Sequence, residues 1–132
     1  MINREIYDAA LALLAEEQDE LSVDYEERAP HILSAFMSEC RELDGAYRRS
    51  HGGDEIPEDG GSVDLDDEFP LSQRFFTAGV YYLAALLVEN ENDALCDRYF
   101  ARYAAVLKSI TEASALGTSS SIRDVYGFHA AV

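Results

Sequence analysis

The stretch from Ser72 to Val88 sets the strongest limit on the fold. Phe75, Phe76, Val80, Tyr82, Leu83, Leu86 and Leu87 recur at helical spacing and take up more than half of the circumference. Such a helix needs cover from several sides, so it is expected at the centre of a helical assembly. Its most apolar run, Val80 to Val88, is far too short to cross a membrane.

Three other segments carry the stripes that could cover it. A first helix from Asn3, read as its cap, has Ile6, Ala10, Leu13 and Leu14 on one side. A second is expected to start near Asp24, at capping-box spacing from Glu27, and to bend at Pro30. Its apolar face is Ala29, Ile32, Leu33, Phe36, Cys40, Leu43 and Tyr47. Ser72 is read as the cap of the central helix, which ends at Asn90 and Asn92. Asp93 opens a fourth, with Leu95, Tyr99, Tyr103, Val106, Leu107 and Ile110 inward and Arg98, Arg102 and Lys108 outward.

Between the second and third helices, residues 48–71 hold two Gly-Gly pairs and two prolines. Eight acids and no base lie between Ser50 and Pro70, and no strand alternation continues beyond Val63-Asp64-Leu65. A stretch this long without secondary structure is usually functional or disordered, so it is expected to be a mobile acidic arm. After Leu116, Gly117-Thr118-Ser119-Ser120-Ser121 reads as a flexible link to a short amphipathic piece, Ile122 to Phe128. The expected fold is all-α. Residues 1–116 form a small four-helix bundle with the 48–71 acidic loop, and residues 117–132 form a flexible tail.

Charge narrows the partners. The 132 residues carry a net charge of −16, unevenly placed. Residues 1–68 hold 20 Asp and Glu against 5 Arg, and residues 69–132 hold 6 against 5 basic residues. Phosphate binding needs clustered Lys and Arg, so sequence-specific nucleic-acid binding is not expected. The same acid disfavours anionic membranes. Cys40 and Cys96 are too few and too far apart for a disulfide framework or a zinc site, and they read as small buried apolar residues of a cytoplasmic protein. The Met1–Glu5 start lacks the order of a signal peptide.

Enzyme signatures are missing. No phosphate-binding loop is present, and Lys108, the single lysine, lies deep in a helix. His31, His51 and His129 stand singly. The run Asp64-Leu65-Asp66-Asp67-Glu68 offers oxygen ligands but lacks EF-hand order, so it reads as a solvated acidic turn. No catalytic, cofactor or metal site is expected. The pairs Phe75-Phe76 and Tyr81-Tyr82 cannot all face one way on a helix. At least one of each pair faces a second helix or a neighbouring subunit, so Phe75, Tyr81 and Tyr82, with Ile122, Tyr126 and Phe128 of the tail, are the candidate contacts with another subunit or partner.

The order of segments also carries a resemblance. An acid-rich first helix leads to Asp24-Tyr25-Glu26-Glu27-Arg28-Ala29-Pro30 and Leu33-Ser34-Ala35-Phe36. Phe69-Pro70-Leu71-Ser72-Gln73-Arg74-Phe75 and Tyr81-Tyr82-Leu83-Ala84-Ala85-Leu86-Leu87-Val88 follow the loop, and Asp97 to Tyr103 completes the series. Residues 3–110 thereby resemble the head-tail connector (adaptor) proteins of tailed bacteriophages, encoded by prophages of Gram-positive bacteria. The resemblance implies a structural protein that forms a ring below the portal and lets DNA pass through an acidic lumen. It also implies portal and tail-completion proteins as partners, and a place in the bacterial cytoplasm or in the virion of an active prophage. The alternative from charge alone is an acidic regulatory or DNA-mimicking binder. A metal-assisted enzyme is the third reading, resting only on Asp64 to Glu68.

Overall fold

Four α-helices form in a computed structural model that describes residues 1–53 and 63–126, with side chains as far as Ser114. They are α1 (Asn3–Glu17), α2 (Tyr25–His51), α3 (Phe76–Leu87) and α4 (Asp93–Tyr126), with a 3-10 turn, Gln73–Phe75, leading into α3. Helix α3 packs against each of the other three, and α2 also packs on α4. The most apolar helix thus takes the central position expected of it. Ala78, Gly79, Val80, Tyr82, Leu83, Ala84, Ala85 and Leu87 are all buried along its 12 residues.

The cover helices turn their stripes inward with one change of phase. On α2 the buried residues are Tyr25, Ala29, Leu33, Phe36, Met37, Cys40 and Asp44, whereas Ile32, Leu43 and Tyr47 are half-buried. A charged residue, Asp44, therefore continues the core face one turn beyond Cys40. On α4, Leu95, Cys96, Tyr99, Tyr103 and Ile110 are buried. An aromatic cluster fills the middle of the core. Tyr82 lies 5.5 Å from Phe36 and 5.1 Å from Tyr103, ring centre to ring centre, in tilted and edge-on packing.

The helix ends differ from the expected caps. Asn3 is fully buried, and its Nδ2 donates to the Asp64 carbonyl at 2.9 Å instead of capping α1. Asp24 accepts from Ser22 Oγ and faces Arg28 at 3.8 Å, so the capping box does not form. Asn92, expected to end α3, starts α4: its Oδ1 accepts from Leu95 N at 3.0 Å. The end of α3 is capped by Arg28, whose guanidinium donates to the Leu86 carbonyl at 3.0 Å and the Leu87 carbonyl at 3.3 Å. Helix α2 closes on Gly52 at φ +76°, a left-handed position that favours glycine, and Gly53 N returns to Arg48 O at 2.8 Å.

The acidic arm is corrected over its second half. Residues 63–72 form an ordered strap, with Val63, Leu65, Phe69 and Leu71 buried. The strap pairs with the start of the chain: Asn3 N donates to Asp67 O at 2.9 Å, Arg4 N to Leu65 O at 2.7 Å, and Phe69 N to Met1 O at 2.9 Å. Burial of four apolar side chains outweighs the cost of ordering a Gly- and Pro-flanked stretch. Residues 54–62, which carry the other half of that expectation, lie outside the described residues.

The tail differs as well. Helix α4 keeps its helical backbone to Tyr126, straight through Gly117–Ser121, where a flexible link was expected. A running helix gains one hydrogen bond per added residue without a new nucleation cost, so a polar Ser run can extend it. Residues 127–132, including Phe128, lie outside the described residues.

Candidate functional site

Three places in the fold bring chemically capable side chains together. The first is internal. Tyr103 Oη donates to Glu39 Oε1 at 2.9 Å and lies 3.6 Å from Cys40 Sγ. Burial pushes the Cys40 thiol up to about 11, against a smaller lowering by Tyr103. Burial, then the contact with Cys40, drives the Tyr103 phenol well above its ordinary range. Both groups stay protonated at neutral pH, which is the opposite of an activated nucleophile.

A pH dependence follows. The folded chain holds the Cys40 proton to about pH 11, while an unfolded chain releases it near ~8.5. Stability from this group is complete below the unfolded value and is lost as pH rises through the folded one. Melting temperature is therefore expected to fall between pH 9 and 11, and a Cys40→Ala variant to show a shallower fall. An identical slope in that variant would remove Cys40 from the cause.

The second place is the strap. Asp66 N donates to Asp64 Oδ1 at 2.9 Å and Asp64 N to Asp67 Oδ2 at 3.2 Å, so the carboxylates close their own turn. Arg4 binds Asp66 at 3.0 Å and lies 3.5 Å from Glu26. A cleft of about 470 Å³ runs between the strap and α2, with Arg4, Glu26, His31 and Asp64 on its walls. No group of three or more His, Cys, Asp or Glu side chains is placed to hold a metal ion among the described residues. Adding EDTA is expected to leave the melting temperature unchanged within a degree. A fall of several degrees would reveal a structural cation at Asp64–Glu68.

The third is the surface, where charge is sorted by place. The α1–α2 turn and the α3–α4 turn lie at one end of the bundle, joined by Tyr25 Oη donating to Glu91 at 2.7 Å and by Arg98 pairing with Glu17 at 2.8 Å. That end carries Glu16, Glu17, Asp19, Glu20, Asp24, Glu26 and Glu27 from the first turn. Glu89, Glu91, Asp93 and Asp97 come from the second, against Arg28, Arg98 and the Arg4 side chain that reaches Glu26. The outward face of α4 beyond it is different. Ala101, Arg102, Ala104, Ala105 and Lys108 are exposed there, with no acid in sequence between Asp97 and Glu112.

The expected contact residues scatter across these regions. Phe75 is fully buried in the 3-10 turn, and Tyr82 is buried in the aromatic cluster. Both are held by their own core and offer no outer surface, which corrects that expectation. Tyr81 is half-buried, stacked on Tyr99 at 6.1 Å, with the Arg102 guanidinium 5.8 Å from its ring centre. Ile122 and Tyr126 lie on the helical backbone of α4, and their side chains are outside the described part. Of the two directions open to the adjacent aromatics, a second helix or a neighbouring subunit, Tyr82 takes the first, against Tyr103 of α4. Asp44 was missed too, though its spacing from Cys40 marked it.

No helix is long and apolar enough to cross a membrane among the described residues. No protein-family model, no curated protein and no solved structure matches the chain.

Proposed function

We propose that this chain is a structural assembly subunit of the head-tail connector kind, forming a ring through which DNA passes and acting through its surfaces rather than by catalysis. The observation that carries this reading is the sorting of charge on a packed bundle. One end is crowded with carboxylates, and one flank, the outer face of α4 between Asp97 and Glu112, is free of them. Separate complementary patches on one subunit suit head-to-tail contacts, which close into rings when the rotation allows. A ring closed by that contact still exposes the carboxylates of the strap, Asp64, Asp66, Asp67 and Glu68, a surface to which DNA phosphates do not adhere. The interior agrees with this role, since the Cys40 thiol and the Tyr103 phenol are buried and stay protonated.

Light scattering coupled to gel filtration tests it across a concentration series. The expected result is a discrete high-mass species that grows with concentration, and no retention of duplex DNA. A species that stays at 14.7 kDa throughout would overturn the reading.

The acidic end also suits the second reading, a binder that occupies the phosphate sites of a basic protein. That reading predicts a stoichiometric complex with a basic DNA-binding protein, dissolved by salt, and a chain that remains monomeric by itself.

A further inference from the structure

We propose that the outer face of α4 from Ala101 to Lys108 is the docking surface for a second copy of this chain, and that it receives the acidic end of that copy. The inference rests on the assembly reading and gives it a specific contact. Arg102 and Lys108 are exposed and make no ion pair among the described residues, in a chain whose net charge is −16. What Arg102 has instead is the half-buried ring of Tyr81, which holds the guanidinium in place at 5.8 Å and leaves its charge unspent. Around it, Ala101, Ala104 and Ala105 are exposed, small enough for another backbone to approach closely.

The complementary surface lies on the same molecule. Glu16, Glu20, Glu27 and Asp93 are exposed at the acidic end and make no ion pair among the described residues. The two patches occupy different parts of the bundle, so one copy cannot satisfy itself and the contact is heterologous. Salt near physiological strength shortens the reach of whole-molecule repulsion to ~8 Å and leaves pairs at contact distance attractive. Charge complementarity of this kind sets partner choice and register more than raw affinity, in keeping with an association that strengthens with concentration.

Sedimentation velocity at physiological ionic strength tests the contact with charge-swapped chains. The Arg102→Glu/Lys108→Glu variant has an acidic flank facing an acidic end, and Glu16→Lys/Glu20→Lys sets two lysines of the end against the cationic flank. Each is expected to lose self-association, while an equimolar mixture of the two regains it. The neutral Arg102→Gln/Lys108→Gln variant is expected to weaken association at least tenfold, which separates lost attraction from added repulsion. All four positions are exposed, and unchanged circular dichroism confirms that each variant is folded. Variants that associate as the parent chain does would overturn this contact and leave the assembly reading standing. A parent chain that is monomeric at every concentration would overturn both.

Discussion

Asp44→Ala is expected to destabilise the fold by about 3–5 kcal/mol, the cost of removing one partner from a buried ion pair. Asp44 is fully buried on the core face of α2. One carboxylate oxygen accepts from Arg48 Nε and from Ser72 N, each at 3.0 Å, and the other accepts from Ser72 Oγ at 2.5 Å. Arg48 in turn donates to Pro70 O at 3.0 Å. These bonds fasten the end of the strap to α2 immediately before the turn into α3. Alanine would strand the Ser72 amide and hydroxyl and leave the mostly buried Arg48 charge without its carboxylate. Asp44→Asn keeps one acceptor oxygen, for the Ser72 amide, while losing the charge, so an intermediate loss is expected. Urea denaturation read by circular dichroism measures both variants. A loss below about 1 kcal/mol for alanine would show that the clasp is not needed to fold.

Phe36→Ala is expected to cost about 3–5 kcal/mol, because a fully buried ring leaves a cavity that rigid neighbours fill only in part. Its neighbours are the rings of Tyr82 and Tyr103, at 5.5 and 6.2 Å, and the backbone of Gly79. At Gly79 the backbone of α3 lies close against side chains of both α1 and α2. A Cβ added there would meet Phe36 Cε2 at 3.1 Å and Ile6 Cδ1 at 3.2 Å. Gly79→Ala alone gains up to about 1 kcal/mol of helix propensity. It loses about 1–3 kcal/mol by overpacking, so a net loss is expected. In the double variant the added methyl faces the space the ring has left, so the combined loss is expected to fall short of the sum of the two. Additive losses would mean that Gly79 and Phe36 do not share that space.

The central helix and the inner stripe of α4 were legible because an apolar face repeated at helical spacing is a local property of the chain. The strap was not. Val63 and Leu65, then Phe69 and Leu71, alternate as an extended segment does, but the backbone partners of Leu65 and Phe69 are Arg4 and Met1, over sixty residues away. Local pattern carries no trace of such a partner, and the acids between these apolar residues gave the look of a solvated arm. Asn3 misled for the same reason: its side chain serves Asp64 and not its own helix. Asp44 sits on the core face at four residues from Cys40, yet a carboxylate there counts against burial until Arg48 and Ser72 are seen beside it. At the candidate contact surface, the positions of Arg102 and Lys108 on the outer face of α4 were legible. The seat of Arg102 on Tyr81 required the packing of α3 against α4.

The central claim is that this bundle assembles with copies of itself, and imaging tests it most directly. Negative-stain electron microscopy at high protein concentration is predicted to show closed rings of uniform diameter for the parent chain. The same grids prepared from Arg102→Glu/Lys108→Glu are predicted to show none. Fields without rings at every concentration of the parent chain, with scattering fixed at 14.7 kDa, would contradict it.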